Sequence, residues 1–571
     1  MFFPRYNPVE VRPRHEVLFW CVAVLMLLIF LGRNALWGLE GRSAEIIREM
    51  LISGKYLTPQ INGVFQGTHM PLWYWISLPL TKFIGINEFF LRFPAVISAF
   101  VLLWATGKIT LKLFDSQTSL IARWVLLGTY GFVFWARTSA PDMANAAAIV
   151  CAVCCFLYWK DEPVFWDYFS FYLLLAVGVL FKGAAMAVVT VILLLPMIFV
   201  KRKIRQYCSW SNFFALGIIL IIGAVLLWIY CRYSGNTAAM LLDNQVLRLL
   251  NSRNSNEPCY CYIYHLPRIL VPWSVIFFAG FVSFVWKRKE LNPDFSTLLI
   301  GMVLVFLLFS AFGSRSWYYL LPLVPFCCIV TAAVLSGYAA ETKVMDYLLE
   351  ITYFILLAFV SLAMALPIAL PLQGIIFHYN ISPIVIVSSF VAGFLVVFLI
   401  IFDREEGNFV SEIFGMPPRI ASLAAGTAIA VTTLFCAVIP VFTEFRTEKP
   451  FALELKKTFE ENRITPEQIF FFSESRHQRV LFYLAPEREI TFGKDVTDFI
   501  LKNSGKTVAI IAEDLNEDKV LLKKQLENLG VNSFKADKIA VREKHQNHES
   551  ASKKKSCAWI FDVKAAPKQK K

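Results

Sequence analysis

Glu40, Asp142 and Lys182 stand where charge is expensive. Glu40 follows an apolar run, Asp142 opens another within RTSAPDMANAA, and Lys182 lies in LFKGAAMAVV between two more; Arg42 comes two residues after Glu40. A carboxylate in such a place can hold or take a proton, and a lysine or arginine can hold an anion such as a phosphate. Ionisable groups at the edges of apolar segments usually line a functional cavity. Each also has a structural reading: Asp142 as a helix N-cap, Lys182 as a snorkelling side chain, Glu40 as the ion-pair partner of Arg42. On one face of a membrane they would form a polar site beneath a surface loop.

What elements carry them follows from composition. The chain has 571 residues, 57% hydrophobic and 15% aromatic, with only 17% charged. No soluble domain tolerates that much apolar sequence, so the chain reads as a polytopic membrane protein with the bilayer as its partner. The net charge of +13 does not signal nucleic acid. The basic residues cluster in short stretches between apolar runs and in the C-terminal tail, as membrane topology and anionic lipid require. Of the 12 cysteines, Cys151, Cys154, Cys155, Cys327 and Cys328 lie in apolar runs and read as small core residues. Cys259 and Cys261, in C-Y-C, are too close for a typical zinc pair or a mutual disulfide. The basic start MFFPRYNPVEVRPRHE precedes an apolar segment with no small-residue cleavage site, which reads as an uncleaved first helix.

Apolar runs at residues 17–37, 89–107, 118–135, 143–159, 168–181, 184–200, 213–231, 269–286, 296–312, 317–338, 347–371, 382–402 and 420–441 give about thirteen spans. With the N-terminus cytoplasmic, the basic stretches GKITLK, KRKIR and WKRK all fall in inner loops. The segment 38–88 is then the largest outer loop, and the apolar stripe of EGRSAEIIREM suits a helix along the membrane surface ending near Gly54. An odd number of spans places the charged segment 442–571 outside the cytoplasm. Its runs QIFFFSES, VLFYLA, TVAIIAE and WIFDV read as strands, alternating with the helical PFALELKKTFEEN and NEDKVLLKKQLENLG: a small α/β domain with a basic tail. No internal repeat supports an inverted-repeat transporter.

Ordered motifs run through residues 35–335. GLEGRSAEIIREMLISGKYLTPQINGV begins with an acid, continues through R-x-A-E-I-x-R-E-M-L and a Gly turn, and ends on N-G; MPLWYW, GINEFFLRFPAVISA, PDMANAA, FKGAAMAVV and GSRSWYYLLPLVP follow. In this order they resemble the protein O-mannosyltransferase and lipid A aminoarabinose transferase group of GT-C membrane glycosyltransferases. The resemblance implies a mostly α GT-C fold for the membrane region, residues 1–441, to which the extracytoplasmic α/β domain 442–571 read above is appended. It implies transfer of a sugar from a polyprenyl-phosphate carrier to a lipid A-like lipid, a glycan or a protein acceptor outside the cytoplasm. A carboxylate would assist the acceptor, and cations would hold the carrier phosphate. Carried onto this chain, the catalytic acids are Glu40 and Asp142. The phosphate donors are Arg42, Lys182 and Arg315, with Arg248 and His69 as further candidates. Glu40 and Asp142 are expected to face one another across the cavity mouth, Arg42 balancing Glu40 and leaving Asp142 to act on the acceptor.

The chain departs from that group at several points. Leu39–Glu40 stands where the group often has Asp-Glu, GTHMP where it has F-E-K-P, and NSNEP (254–258) where it has D-H-K-E-P. A metal is described in some members. The candidates left here are His69 and His265, and two imidazoles do not complete a zinc sphere, so the cofactor stays open. His69 alternatively replaces the lysine as a phosphate donor. Two other functions compete: a degenerate accessory protein and a lipid or ion transporter. Retention of Glu40, Arg42, Asp142 and Lys182 together argues against the first, and the placing of most charges at helix ends against the second.

Overall fold

The computed structural model describes residues 10–66, 71–183, 185–200, 208–234, 257–287, 291–313, 315–339, 345, 347–355, 358, 394, 407–439, 447–473, 478–513, 516–529, 540–542 and 556–563. The chain forms two compact units. One comprises Met1–Arg33, Gly67–Leu80 and Phe89–Val441; the other gathers Asn34–Gln66, Thr81–Glu88 and Phe442–Lys571.

The first unit is helical. Among the described residues six helices are long and apolar enough to cross a bilayer: Glu88–Leu113, Phe165–Lys182, Trp210–Tyr233, Pro293–Ala311, Trp317–Leu335 and Pro418–Cys436. Two further candidates are bent. Ser116–Leu127 and Tyr130–Ala136 meet at 67°, and Cys261–Ile269 and Ser274–Trp286 at 114°. The runs 118–135 and 269–286, each expected as one span, therefore contain breaks. The second break falls at Pro272, which has no N–H to continue a helix. At the first, Gly128 packs so closely that a Cβ would lie 2.7 Å from Thr427 Oγ1. The expected spans 347–371 and 382–402 lie largely outside the described residues.

Buried arginines tie this bundle together. Helix α1 (Pro13–Leu28) ends with carbonyls that have no partner within the helix. Arg137 supplies donors to Met26 O at 2.9 Å, Leu27 O at 3.0 Å and Ile29 O at 2.6 Å. Arg123 pairs with Glu16, joining the helix Ser116–Leu127 to α1.

Two adjacent helices matter most for function, α2 (Asp142–Leu157) and α3 (Phe165–Lys182). A connection this short forces neighbouring helices antiparallel. Their lengths are ~24 Å and ~27 Å at 1.5 Å per residue. The start of α2 and the end of α3 thus come level, and Gly178 lets α3 approach until a Cβ there would touch Ala148 Cβ at 3.4 Å.

In the second unit, Glu40–Ser53 forms a helix that is buried along most of its length, including Glu40, Glu45 and Arg48. Its apolar residues Ile46, Ile47 and Met50 are buried as well, and its Gly41 abuts the C-terminal segment, where a Cβ would meet Arg479 Cγ at 2.2 Å. The hairpin β1 (Gln60–Ile61) and β2 (Val64–Phe65) turns at Asn62 and Gly63, both at positive φ, as a two-residue Asn-Gly hairpin requires. Asn62 pairs both ways with Ile490, donating to its carbonyl at 2.6 Å and accepting from its N–H at 2.8 Å.

The C-terminal part carries a five-stranded sheet of order β4-β3-β5-β7-β6, built from β3 (Ile469–Phe472), β4 (Thr491–Gly493), β5 (Thr507–Glu513), β6 (Ala540–Arg542) and β7 (Ser556–Asp562). Strand β3 is parallel to β4 and β5, whereas β7 is antiparallel to β5 and β6. Its core includes Phe470, Phe472, Ile510, Leu522 and Phe561. One expectation fails here. VLFYLA belongs to a helix, Gln478–Leu484, and not to a strand. Val480 through Leu484 are all buried, and a short run apolar on every side has no period that separates strand from helix.

Candidate active site

Asp142 begins α2 and Lys182 ends α3. An acid at a helix N-terminus and a base at a C-terminus each complement the local dipole. The antiparallel packing then brings them together: Lys182 Nζ donates to Asp142 Oδ1, with side chains 14% and 5% exposed. Such a pair is tolerable in a low-dielectric setting only because each charge has its partner.

Aromatic faces complete the surroundings of Lys182. Its ammonium lies 4.7 Å from the ring centroid of Tyr318 and 5.1 Å from that of Tyr319, within cation–π range. Both tyrosines sit on the 3-10 helix Trp317–Leu323. Trp135 flanks them, 5.2 Å from Tyr318 and 5.4 Å from Trp317. One turn along α2 from Asp142, Asn145 is buried, and its Oδ1 has no hydrogen-bond partner among the described residues. The 3-10 helix also contributes Leu323 to an apolar cavity of roughly 170 Å³, lined further by Leu266, Phe277, Phe281, Met302 and Phe306.

Arg315 stands just before the 3-10 helix and donates from Nη1 to Glu257 O at 2.8 Å. His265 Nε2 lies 2.9 Å from Glu257 Oε2. Among the sequence candidates, then, Asp142 and Lys182 are in direct contact, and Arg315 is on the segment that brings Tyr318 to Lys182. Glu40 and Arg42 belong to the second unit. There Glu40, fully buried, accepts from Trp37 N at 3.2 Å, and Arg42 donates to Gln66 Oε1 at 2.9 Å. His69 and Arg248 lie outside the described residues. Sequence reasoning did not single out Tyr318, Tyr319 or Asn145. The i+3 spacing of Asn145 from Asp142 and the tyrosine pair beside Arg315 were the available signals.

No protein-family profile matches the chain. An uncharacterized protein of Aquifex aeolicus is 28% identical over 55% of this chain, which spans 63% of that relative's length. The undecaprenyl phosphate-alpha-4-amino-4-deoxy-L-arabinose arabinosyl transferase of Pectobacterium carotovorum subsp. carotovorum is 25% identical over 73% of this chain and 76% of its own. The crystal structure of ArnT from Cupriavidus metallidurans bound to undecaprenyl phosphate superimposes with a TM-score of 0.71, covering 95% of this chain and 97% of that one at 16% identity. The architecture is GT-C. In this polytopic membrane protein the Lys182 ammonium is shared between the Asp142 carboxylate and the faces of Tyr318 and Tyr319.

Proposed function

We propose that this chain transfers a sugar from a polyprenyl-phosphate-linked donor to a lipid A-like acceptor at the extracytoplasmic face of the membrane. The observation that carries the reading is the buried Asp142–Lys182 pair facing Tyr318 and Tyr319, in a chain with the fold of ArnT and relatives named as undecaprenyl phosphate arabinosyl transferases. An arriving phosphate competes with Asp142 for the Lys182 ammonium, since both present anionic oxygens. As the ammonium turns to the phosphate, Asp142 is left with an unshared carboxylate that can accept the acceptor's proton. The acceptor oxygen then bonds to the anomeric carbon as the bond to phosphate breaks. The polyprenyl phosphate leaves with its negative charge held by Lys182, and no enzyme nucleophile is required. The apolar cavity behind Leu323 suits part of a prenyl chain. Arg315, Arg42, Arg248 and His69 are proposed as further phosphate donors, and Glu40 as a second carboxylate. The N-terminus is placed in the cytoplasm, the membrane being the inner one, and the segment 442–571 outside.

The test is transfer measured by mass spectrometry of lipids from cells whose own copy is deleted and replaced by Asp142→Asn or Glu40→Gln, with size-exclusion chromatography in detergent as the folding control. Asp142→Asn is expected to abolish the modified lipid while keeping a monodisperse profile. Wild-type transfer by both amide variants would eliminate carboxylate catalysis.

A further inference from the structure

Two buried polar atoms near the Asp142–Lys182 pair have no hydrogen-bond partner among the described residues. They are the Oδ1 of Asn145 and the Nε1 of Trp135, residues that are 2% and 3% exposed. We propose that they hold the sugar of the lipid-linked donor, Asn145 accepting from a hydroxyl or amino group on the ring and Trp135 donating to a sugar oxygen. The proposal rests on the polyprenyl-phosphate reading above and adds to it the residues that recognise the transferred group.

A buried acceptor without a donor costs free energy, and an apolar residue of similar size would remove the cost. From Met143 to Val150, α2 is otherwise built of Met, Ala, Ile and Val. Asparagine is also a poorer helix former than the alanines around it. Neither burial nor helix formation explains the amide. An orphaned indole N–H is less telling by itself, since Trp73, Trp159 and Trp273 have one too. Asn145 therefore carries the argument, and Trp135 joins it by position.

Asn145 lies three residues, about 4.5 Å of rise, beyond Asp142 on the same face of α2. That helix packs against α3, which carries Lys182, and against the 3-10 helix Trp317–Leu323. Trp135 lies 5.2 Å from Tyr318, and Tyr318 faces the Lys182 ammonium at 4.7 Å. Carboxylate, ammonium, amide and indole thus come from adjoining elements. A pyranose ring is about as wide as one helical turn is long, ~5.4 Å. With the phosphate on Lys182 and the anomeric carbon beside Asp142, the substituents on the far side of the ring reach Asn145. The amide is neutral, so it accepts from the sugar without drawing the ammonium from the phosphate as another carboxylate would. Sugars lacking a donor at that position leave the buried Oδ1 unpaired, and such a site discriminates strongly against them.

Native mass spectrometry of the detergent-purified full chain measures binding of undecaprenyl phosphate, bare or carrying arabinose, 4-amino-4-deoxyarabinose, glucose or mannose. The quantity read is the ratio of affinities, sugar-bearing over bare lipid, with size-exclusion chromatography as the folding control. For the sugar that the wild type holds best, Asn145→Leu should lower this ratio by about tenfold or more and leave binding of the bare lipid unchanged. Trp135→Phe, which keeps an aromatic face and deletes the N–H, should lower it about threefold. An unchanged ratio in either variant, or an equal loss of both lipids, overturns the proposal and leaves the carrier reading intact. A wild type that binds none of these lipids overturns the carrier reading and the proposal with it. If Asn145→Leu does not fold, Asn145→Ala is judged by the same ratio and the same criteria.

Discussion

Lys182 has three neighbours that compete for one positive charge: the Asp142 carboxylate and the faces of Tyr318 and Tyr319. Removing one member of a buried ion pair strands the other, and the penalty is typically larger than the worth of the pair itself. Lys182→Met is therefore expected to act twice. It should lower thermal stability by leaving Asp142 buried without its cation, and it should lower single-turnover transfer by about 10²–10³-fold through loss of charge stabilisation on the leaving phosphate. Lys182→Arg restores the charge, but as a planar fork in a place built around a point charge, so it should recover stability more fully than rate. Thermal melts and single-turnover transfer on the same preparations separate the two effects. A Lys182→Met enzyme with wild-type rate would reduce the lysine to a structural role.

The helix Glu40–Ser53 answers why a chain leaving an apolar segment begins with interleaved acids and bases. Arg48 makes a two-pronged contact with Glu45, both bonds at 2.8 Å, and its remaining donor reaches Pro486 O at 2.8 Å. Glu49 accepts from Gly63 N at 2.7 Å, clamping the Asn-Gly hairpin onto the helix. Arg48 thereby ties the loop to the C-terminal segment, and Lys449 of that segment donates to Glu88 at 2.5 Å. Burial pushes the carboxyl of Glu49 above its ordinary value of 4.5, the Gly63 N–H and Arg48 offsetting part of the effect. A carboxyl with a raised folded pKa binds its proton more tightly in the folded state. Its stabilising contribution is complete below the unfolded value and is lost as pH rises through the folded one. Thermal melts from pH 4.5 upward should show this loss, and Glu49→Gln, which keeps an acceptor for Gly63, should flatten it. An unchanged slope in the variant would assign the dependence to other groups.

At the scale of the molecule, the grouping of the first loop with the C-terminal segment in one compact unit requires both to lie on the same side of the membrane. The ties between Asn62 and Ile490, Arg48 and Pro486, and Leu36 and Tyr483 cannot form across a bilayer. If the first loop is extracytoplasmic, as the basic inner loops suggest, the C-terminus is too. Alkaline phosphatase fused after the last residue should be active, and a fluorescent protein fused there dark. The reverse pattern would invert the topology and place the first loop in the cytoplasm.

Composition alone established a polytopic membrane protein, because the fraction of apolar residues exceeds what any soluble surface can hide. Short connections also made the Asp142–Lys182 contact derivable, since α2 and α3 are neighbours of nearly equal length with opposite charges at the ends that meet. Other features depended on contacts between residues far apart in sequence. The burial of Glu45 and Arg48 is decided by a partner segment more than four hundred residues away, the helical state of VLFYLA by the surfaces packed around it, and the need for a residue without a side chain at Gly128 by the closeness of Thr427. Local periodicity carries no information about which distant surface covers a stripe.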